Sequence, residues 1–188
     1  MKQSNRRAVL SGTLCLVLIC FVVTLTVAGT RFVFKEKIAA QEWQKQEQSM
    51  NQLLPADEYK ELLLEKDQEA YRALDQSGTT VGYIFVTESY GYGSLIRVMS
   101  GIAEGEVVGI EVLDCTNETP GLGQKVAEDS FKKQFQGVTA LPTIIKTAPE
   151  EKNEVEAVTG ATKSSTAVAE AVNNALDLYQ TYAESDKK

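Results

Sequence analysis

Apolar and polar positions change their rhythm several times along this chain, and each change marks an element. Residues 8–29 (AVLSGTLCLVLICFVVTLTVAG) carry no charge. An apolar run of that length matches the roughly 20 residues an α-helix needs to cross a bilayer core. The chain then turns charged and Gln-rich to about residue 51, with sparse apolar residues such as Phe34, Ile38, Trp43 and Met50. That pattern predicts a helical stalk, which Pro55 ends. Asp57 is placed to cap a short helix over residues 58–64.

Beyond Gln76-Ser77-Gly78 the texture shifts. Residues 80–87 (TVGYIFVT), 95–99 (LIRVM) and 107–113 (VVGIEVL) are rich in β-branched and aromatic side chains, with the turn signals YGYG and AEGE between them. They predict an antiparallel meander of three strands. A glycine-rich loop follows at 117–123 (NETPGLG). Next comes an amphipathic helix burying Val126, Phe131 and Phe135. Residues 143–146 and 155–158 read as further short strands. Val168, Val172, Ala175, Leu176 and Tyr179 recur at helical spacing and predict a last helix to about Tyr182. The fold class is α+β: an N-terminal transmembrane helix, then a domain with a mainly antiparallel sheet packed by helices. The boundaries are a cytoplasmic tail 1–7, a transmembrane anchor 8–29, a stalk and linker 30–76, a domain 77–182 and a flexible tail 183–188.

A cleaved signal peptide is the competing reading of the first span. The run exceeds the usual apolar region of such a peptide, and Val27-Ala28-Gly29-Thr30-Arg31 makes a poor cleavage site, so we read a retained anchor. Lys2, Arg6 and Arg7 precede it, but Arg31, Lys35, Lys37 and Lys45 follow it, and charge alone does not orient it. A short tail before the span and a long domain after it favour export of the domain.

Composition narrows the chemistry. The net charge is −7, and every acidic residue lies beyond Arg31. An acidic domain of this kind argues against nucleic acid and anionic lipid heads as partners. Histidine is absent, which removes Ser-His-Asp catalysis, histidine-based zinc sites and haem ligation by histidine. Of the three cysteines, Cys15 and Cys20 sit in the span. Cys115 alone makes neither an internal disulfide nor a CxxC pair. We assign no catalytic residue and no metal ligand. A domain so equipped handles electrons only with an organic cofactor.

Two loops remain. In VTGATKSST (158–166) Gly160 can take a positive φ, and Thr162 stands where the amides of a helix start favour a phosphate. On local chemistry alone, helix capping by Ser and Thr is the stronger explanation of the loop. Pro120-Gly121 and Gly123 make a turn in any protein, and a tight loop here would present amides and Leu122 to a flat ligand.

Together the loops resemble the paired signatures of the FMN-binding domain family. Glu118-Thr119-Pro120-Gly121-Leu122-Gly123, Thr159-Gly160-Ala161-Thr162-Lys163-Ser164-Ser165 and the turn Tyr90-Gly91-Tyr92-Gly93-Ser94-Leu95-Ile96 carry the likeness, over residues 81–176. Within that family the chain resembles the G subunit of the Rnf electron transport complex, an ion-translocating ferredoxin:NAD⁺ oxidoreductase. The resemblance implies FMN held covalently by a phosphoester to Thr162, with Glu118, Thr119, Gly121, Leu122 and Gly123 lining the flavin. Thr159, Gly160, Ala161, Ser164 and Ser165 complete the implied cofactor-binding set. Glu156 stands where the family commonly has Asp, and Ser94 and Leu95 replace a Gly-Pro pair.

A threonine hydroxyl needs a base or metal to act as a nucleophile, and only Glu156 and Lys163 stand near. The resemblance therefore implies a separate ApbE-type flavin transferase that takes FMN from FAD. It further implies an electron carrier among other Rnf subunits rather than an enzyme on its own. The location implied is a single pass through the cell (inner) membrane, with the domain on the extracytoplasmic side. The alternatives are the equivalent component of the Na⁺-translocating NADH:quinone oxidoreductase, a stand-alone membrane-anchored FMN reductase, and a cofactor-free scaffold.

Overall fold

A computed structural model describes residues 2–63 and 69–185. They form two compact units, Met1–Glu47 and Gln48–Lys188. Helix α1 spans Lys2–Leu53. Within it Gly12–Thr30 is apolar, fully exposed in the structure, and long enough to cross a membrane. Its threonine hydroxyls are turned inward on the helix: Thr24 donates to the Cys20 carbonyl and Thr26 to that of Val22, each at 2.7 Å. This back-bonding leaves few polar groups for an apolar surrounding to desolvate.

In the second unit five strands form one sheet in sequence order: β1 (Glu58–Leu63), β2 (Glu69–Leu74), β3 (Thr80–Tyr90), β4 (Leu95–Ala103) and β5 (Glu106–Asp114). Every neighbouring pair is antiparallel. The three-strand meander expected from the sequence is its β3–β5 half. Helix α3 (Thr162–Ser185) lies across one face. There Val168, Ala171, Val172, Ala175 and Leu176 join Phe85, Val98 and Ile102 in the main core. The Thr87 hydroxyl donates to the Ala171 carbonyl at 2.7 Å, so its one buried polar group is satisfied.

The other face is covered by the last turn of α1. Met50 and Leu54 are buried with Tyr71, Ile84, Val86 and Met99. Glycines make their seat. A Cβ at Gly82 would come within 2.8 Å of Leu54 Cδ2, and one at Gly109 within 3.2 Å of Leu53 Cδ2. Larger residues there would lift the helix end off the sheet.

Two expectations are corrected. The helix expected over residues 58–64 is strand β1, except that residue 64 lies outside the described residues. Glu, Lys and Leu favour helix only weakly, and pairing with β2 overrides them, with Lys60 opposite Arg72 and Leu62 opposite Ala70. The single amphipathic helix after the glycine-rich loop is instead three short pieces. These are a 3₁₀ turn at Gly123–Ala127, helix α2 at Asp129–Lys132 and a second 3₁₀ turn at Lys133–Phe135. Glu128 is extended, at φ −72° and ψ 144°, and breaks the run. Val126, Phe131 and Phe135 are nevertheless buried as expected; the break at Glu128 lets positions five and four residues apart face one core. Strands β6 (Thr143–Ile145) and β7 (Glu154–Glu156) pair in parallel. The last helix continues past Tyr182 to Ser185.

Candidate functional site

Three segments far apart in sequence meet at one carboxylate. Glu118, in the loop after β5, is 1% exposed. Its Oε1 accepts the amide of Gly93 at 2.9 Å and that of Ser94 at 3.3 Å. Its Oε2 accepts the Tyr92 amide at 3.2 Å and the Ser164 hydroxyl at 2.5 Å. The β3–β4 turn, the ETPGLG loop and the start of α3 are thereby tied together. Burial pushes the Glu118 carboxyl up, but the Ser164 hydroxyl and the amides of Gly93, Tyr92 and Ser94 outweigh it and hold the group below the ordinary glutamate value. It is an anion at neutral pH.

The glycines of both motifs serve this knot. A Cβ on Gly91 would sit 2.6 Å from Glu118 Oε1, and one on Gly93 would sit 2.3 Å from the Asn117 carbonyl oxygen. On Gly123 it would meet Ser164 Oγ at 2.9 Å and Glu118 Cβ at 3.0 Å. All three positions require the absence of a side chain.

A second hydroxyl fastens the last loop. Ser165 Oγ accepts the Val158 amide at 3.0 Å and donates to the Ala161 carbonyl at 3.1 Å. Gly160 turns the chain at φ 80°. Helix α3 begins at Thr162, so its capping position falls on Ala161, which has no side-chain oxygen. The amides of the first turn are therefore left without the side-chain acceptor that a Ser, Thr or Asp cap would supply. Capping does not account for the hydroxyls of this loop. Ser164 and Ser165 are buried and engaged, whereas Thr159 and Thr162 are exposed.

Beside this knot lies an open cleft of about 320 Å³, at the small end of the ~300–1,000 Å³ usual for small-molecule sites. Of the residues nominated from sequence, Thr119, Leu122, Gly123, Gly160, Ala161 and Ser164 line it. Gly121, Thr159 and Thr162 are exposed but do not line it, Ser165 is buried in the first turn of α3, and Glu118 lies behind the wall with both oxygens occupied. Thr162 is flanked by two lining residues, Ala161 and Lys163.

Two lining residues, Tyr92 and Lys163, lie within the motifs read from sequence but are not among the nominated cofactor-binding residues. Tyr92 is 70% exposed, and an aromatic left in solvent within a glycine-rich turn is the signal that could have found it. Glu156 is exposed in β7, its amide held by Gln134 Oε1 at 2.7 Å. Cys115 is half-buried; burial, then the charges of Asp114 and Glu118, push its thiol above the ordinary value.

A cleft with apolar walls (Leu122, Ala161, the Tyr92 ring), hydroxyl and amide donors and an uncapped helix start beside it suits a flat heteroaromatic ring that ends in a phosphate. The family comparison agrees. The FMN-binding domain model matches residues 91–177, so the chain carries an FMN-binding domain. Residues 1–53 match the RnfG N-terminal region. It is similar to the G subunit of the proton-translocating ferredoxin:NAD(+) oxidoreductase complex of Clostridium ljungdahlii, at 29% identity over 96% of this chain and 97% of that one. It is also similar to the G subunit of the Na(+)-translocating ferredoxin:NAD(+) oxidoreductase complex of Acetobacterium woodii, at 39% identity over 55% of this chain and 52% of that one. Among solved structures, the C subunit of the Na(+)-translocating NADH-quinone reductase from Parabacteroides distasonis shares the fold. It has a TM-score of 0.53 and 19% identity over 69% of this chain and 78% of that one.

Proposed function

We propose that this chain is the FMN-carrying component of an ion-translocating ferredoxin:NAD⁺ oxidoreductase complex, with FMN joined by a phosphoester to Thr162. The observation that carries the tether is the sorting of hydroxyls in the last loop. Ser164 and Ser165 are consumed by Glu118, Val158 and Ala161. Thr162 is exposed, next to the cleft and on the helix turn whose amides lack a capping side chain. Those amides suit a phosphodiester oxygen.

Bound there, the flavin supplies the electron-transfer chemistry that these side chains lack. The chain's own residues hold and position. Leu122, Ala161 and Tyr92 wall the cleft, while the Glu118 knot fixes the turn and the helix start that frame it. Attachment by an ApbE-type transferase fits a loop whose adjoining carboxylate, Glu118, is already engaged by three amides and the Ser164 hydroxyl. Residues 12–30 anchor the domain in the membrane, and the domain lies on the extracytoplasmic side, where a dissociable flavin would be lost to dilution. Partner subunits supply the donor and acceptor. The RnfG-type match at residues 1–53 favours this complex over the quinone-reducing one.

The test is the intact mass of the chain purified from its native membranes, with peptide mapping. The expected result is one FMN-phosphoester mass on the peptide containing Thr162, lost in Thr162→Ala. An unmodified peptide from native material refutes the tether. Retention of the mass in Thr162→Ala moves it to Thr159, the other exposed threonine of that loop.

A further inference from the structure

Lys163 occupies an unusual place on the cleft wall. Its Nζ lies 5.9 Å from the centre of the Tyr90 ring and 6.0 Å from that of Tyr92. Both separations are within the range where a ring face attracts an ammonium. The two rings are themselves 62% and 70% exposed. Large aromatics left in water on a folded domain cost hydrophobic stability, and here both flank the same cation. The acidic group of the surrounding knot, Glu118, has its oxygens on amides and on the Ser164 hydroxyl, and among the described residues no ion pair joins it to Lys163. The ammonium is thus ordered by neutral rings rather than by a carboxylate, at the rim of the cleft it lines.

We propose that Lys163, held over Tyr90 and Tyr92, is a positioning residue that sets the reduction potential of the group in the cleft by stabilising its reduced, anionic form. The inference rests on the reading of the cleft as the flavin's place. A neutral isoalloxazine that takes two electrons and one proton carries one net negative charge. An ammonium on the wall of that cleft, in a site open to water, then favours that form by about tenfold in the equilibrium constant. Lysine does this as a compact charge on a flexible stem, so it needs the ring pair to hold it in place. The covalent link lies one residue away, which keeps the group and the cation in register.

The test is spectroelectrochemical titration of the full-length chain purified with its flavin. An electrode supplies the electrons, and the mass of the Thr162 peptide is recorded on each sample. Lys163→Gln is expected to lower the ratio of reduced to oxidised flavin at a fixed potential by about tenfold, a shift of roughly 30 mV to the negative for a two-electron couple. Lys163→Arg, which keeps the charge, is expected to stay within about twofold. Tyr92→Leu is expected to shift the ratio in the same direction as Lys163→Gln by a smaller factor, since it frees the ammonium without removing it. If Lys163→Gln carries no flavin, the Tyr92→Leu sample decides in its place. A wild-type ratio in Lys163→Gln, or an equal shift in Lys163→Arg, overturns the lysine's role while the Thr162 mass leaves the tether standing. A wild-type chain without that mass overturns the tether and this inference with it.

Discussion

Replacing Glu118 by Gln changes one atom and removes one charge, and the structure says what each change costs. The four donors around the carboxylate divide two and two: the amides of Gly93 and Ser94 on Oε1, and the Tyr92 amide with the Ser164 hydroxyl on Oε2. A glutamine offers only one oxygen. With its NH₂ at the Oε1 position it faces two backbone N–H groups, neither of which can reverse. With its NH₂ at the Oε2 position it faces one such amide and a hydroxyl that can rotate to accept. The second placement is the cheaper. It leaves the part-buried Tyr92 amide without its acceptor, at up to about 1–3 kcal/mol, and it weakens the remaining bonds by removing their charge assistance. The sum is about 2–4 kcal/mol, a large part of the roughly 5–15 kcal/mol that holds a domain folded.

Urea unfolding of the full-length chain in detergent measures this cost. Near-ultraviolet circular dichroism follows the packing of the buried Tyr71 and Tyr83 independently of the helix that carries the apolar span. At a slope of about 2 kcal/mol per molar urea the midpoint falls by about 1–2 M, while Glu150→Gln, on an exposed loop, leaves it unchanged. The pH dependence supplies the sign check. The folded pKa of Glu118 is held below its ordinary 4.5, so its contribution is complete above that value and disappears as pH falls through the folded pKa. The gap between wild type and Glu118→Gln should therefore close on acidification from pH 5. A midpoint shift no larger than that of Glu150→Gln, or a gap that persists at low pH, refutes the account of the knot.

Gly123→Ala should cost about 1–3 kcal/mol by overpacking, since its Cβ meets Ser164 Oγ at 2.9 Å and Glu118 Cβ at 3.0 Å; thermal unfolding checks it, and a neutral effect would mean that the cleft wall yields. Leu54→Ala, at a side chain 5% exposed on the far face of the sheet, should cost about 2–5 kcal/mol in the same urea titration yet leave the FMN mass on Thr162 intact. Cys115 should alkylate more slowly than a free cysteine at pH 8 and catch up only at higher pH, because its thiol is held above the ordinary value; mapping of iodoacetamide-labelled peptides reads this out.

The parts of the fold that are legible in the sequence are those written in local patterns. Strands β3 to β5 are rich in β-branched and aromatic residues and are separated by glycine turns, and α3 carries its stripe from Val168 to Leu176. Strand β2 escapes because Glu69-Ala70-Tyr71-Arg72-Ala73-Leu74 is rich in helix formers, and β1 reads as helix for the same reason. Each is a strand because it finds the other and then β3, information held in pairing rather than in either segment. The run after Gly123 shows the complementary failure. Its apolar positions are the buried ones, but the extended Glu128 that splits it leaves no trace in an apolar count.

The glycine motifs are legible as a family signature without their physical purpose being so. Gly91, Gly93 and Gly123 read as flexible turn residues, yet in the structure each is tightly packed, against Glu118 or the carbonyl beside it. None of the three has a positive φ; those of Gly121 and Gly160 are 74° and 80°. The motif thus mixes two uses of the same residue. Some glycines let the backbone turn, and others let a carboxylate reach through to amides 24 to 26 residues away and a hydroxyl 46 residues away. That second use explains why the two loops and the β3–β4 turn occur together. They share one anion, and the geometry of the cleft depends on all of them at once.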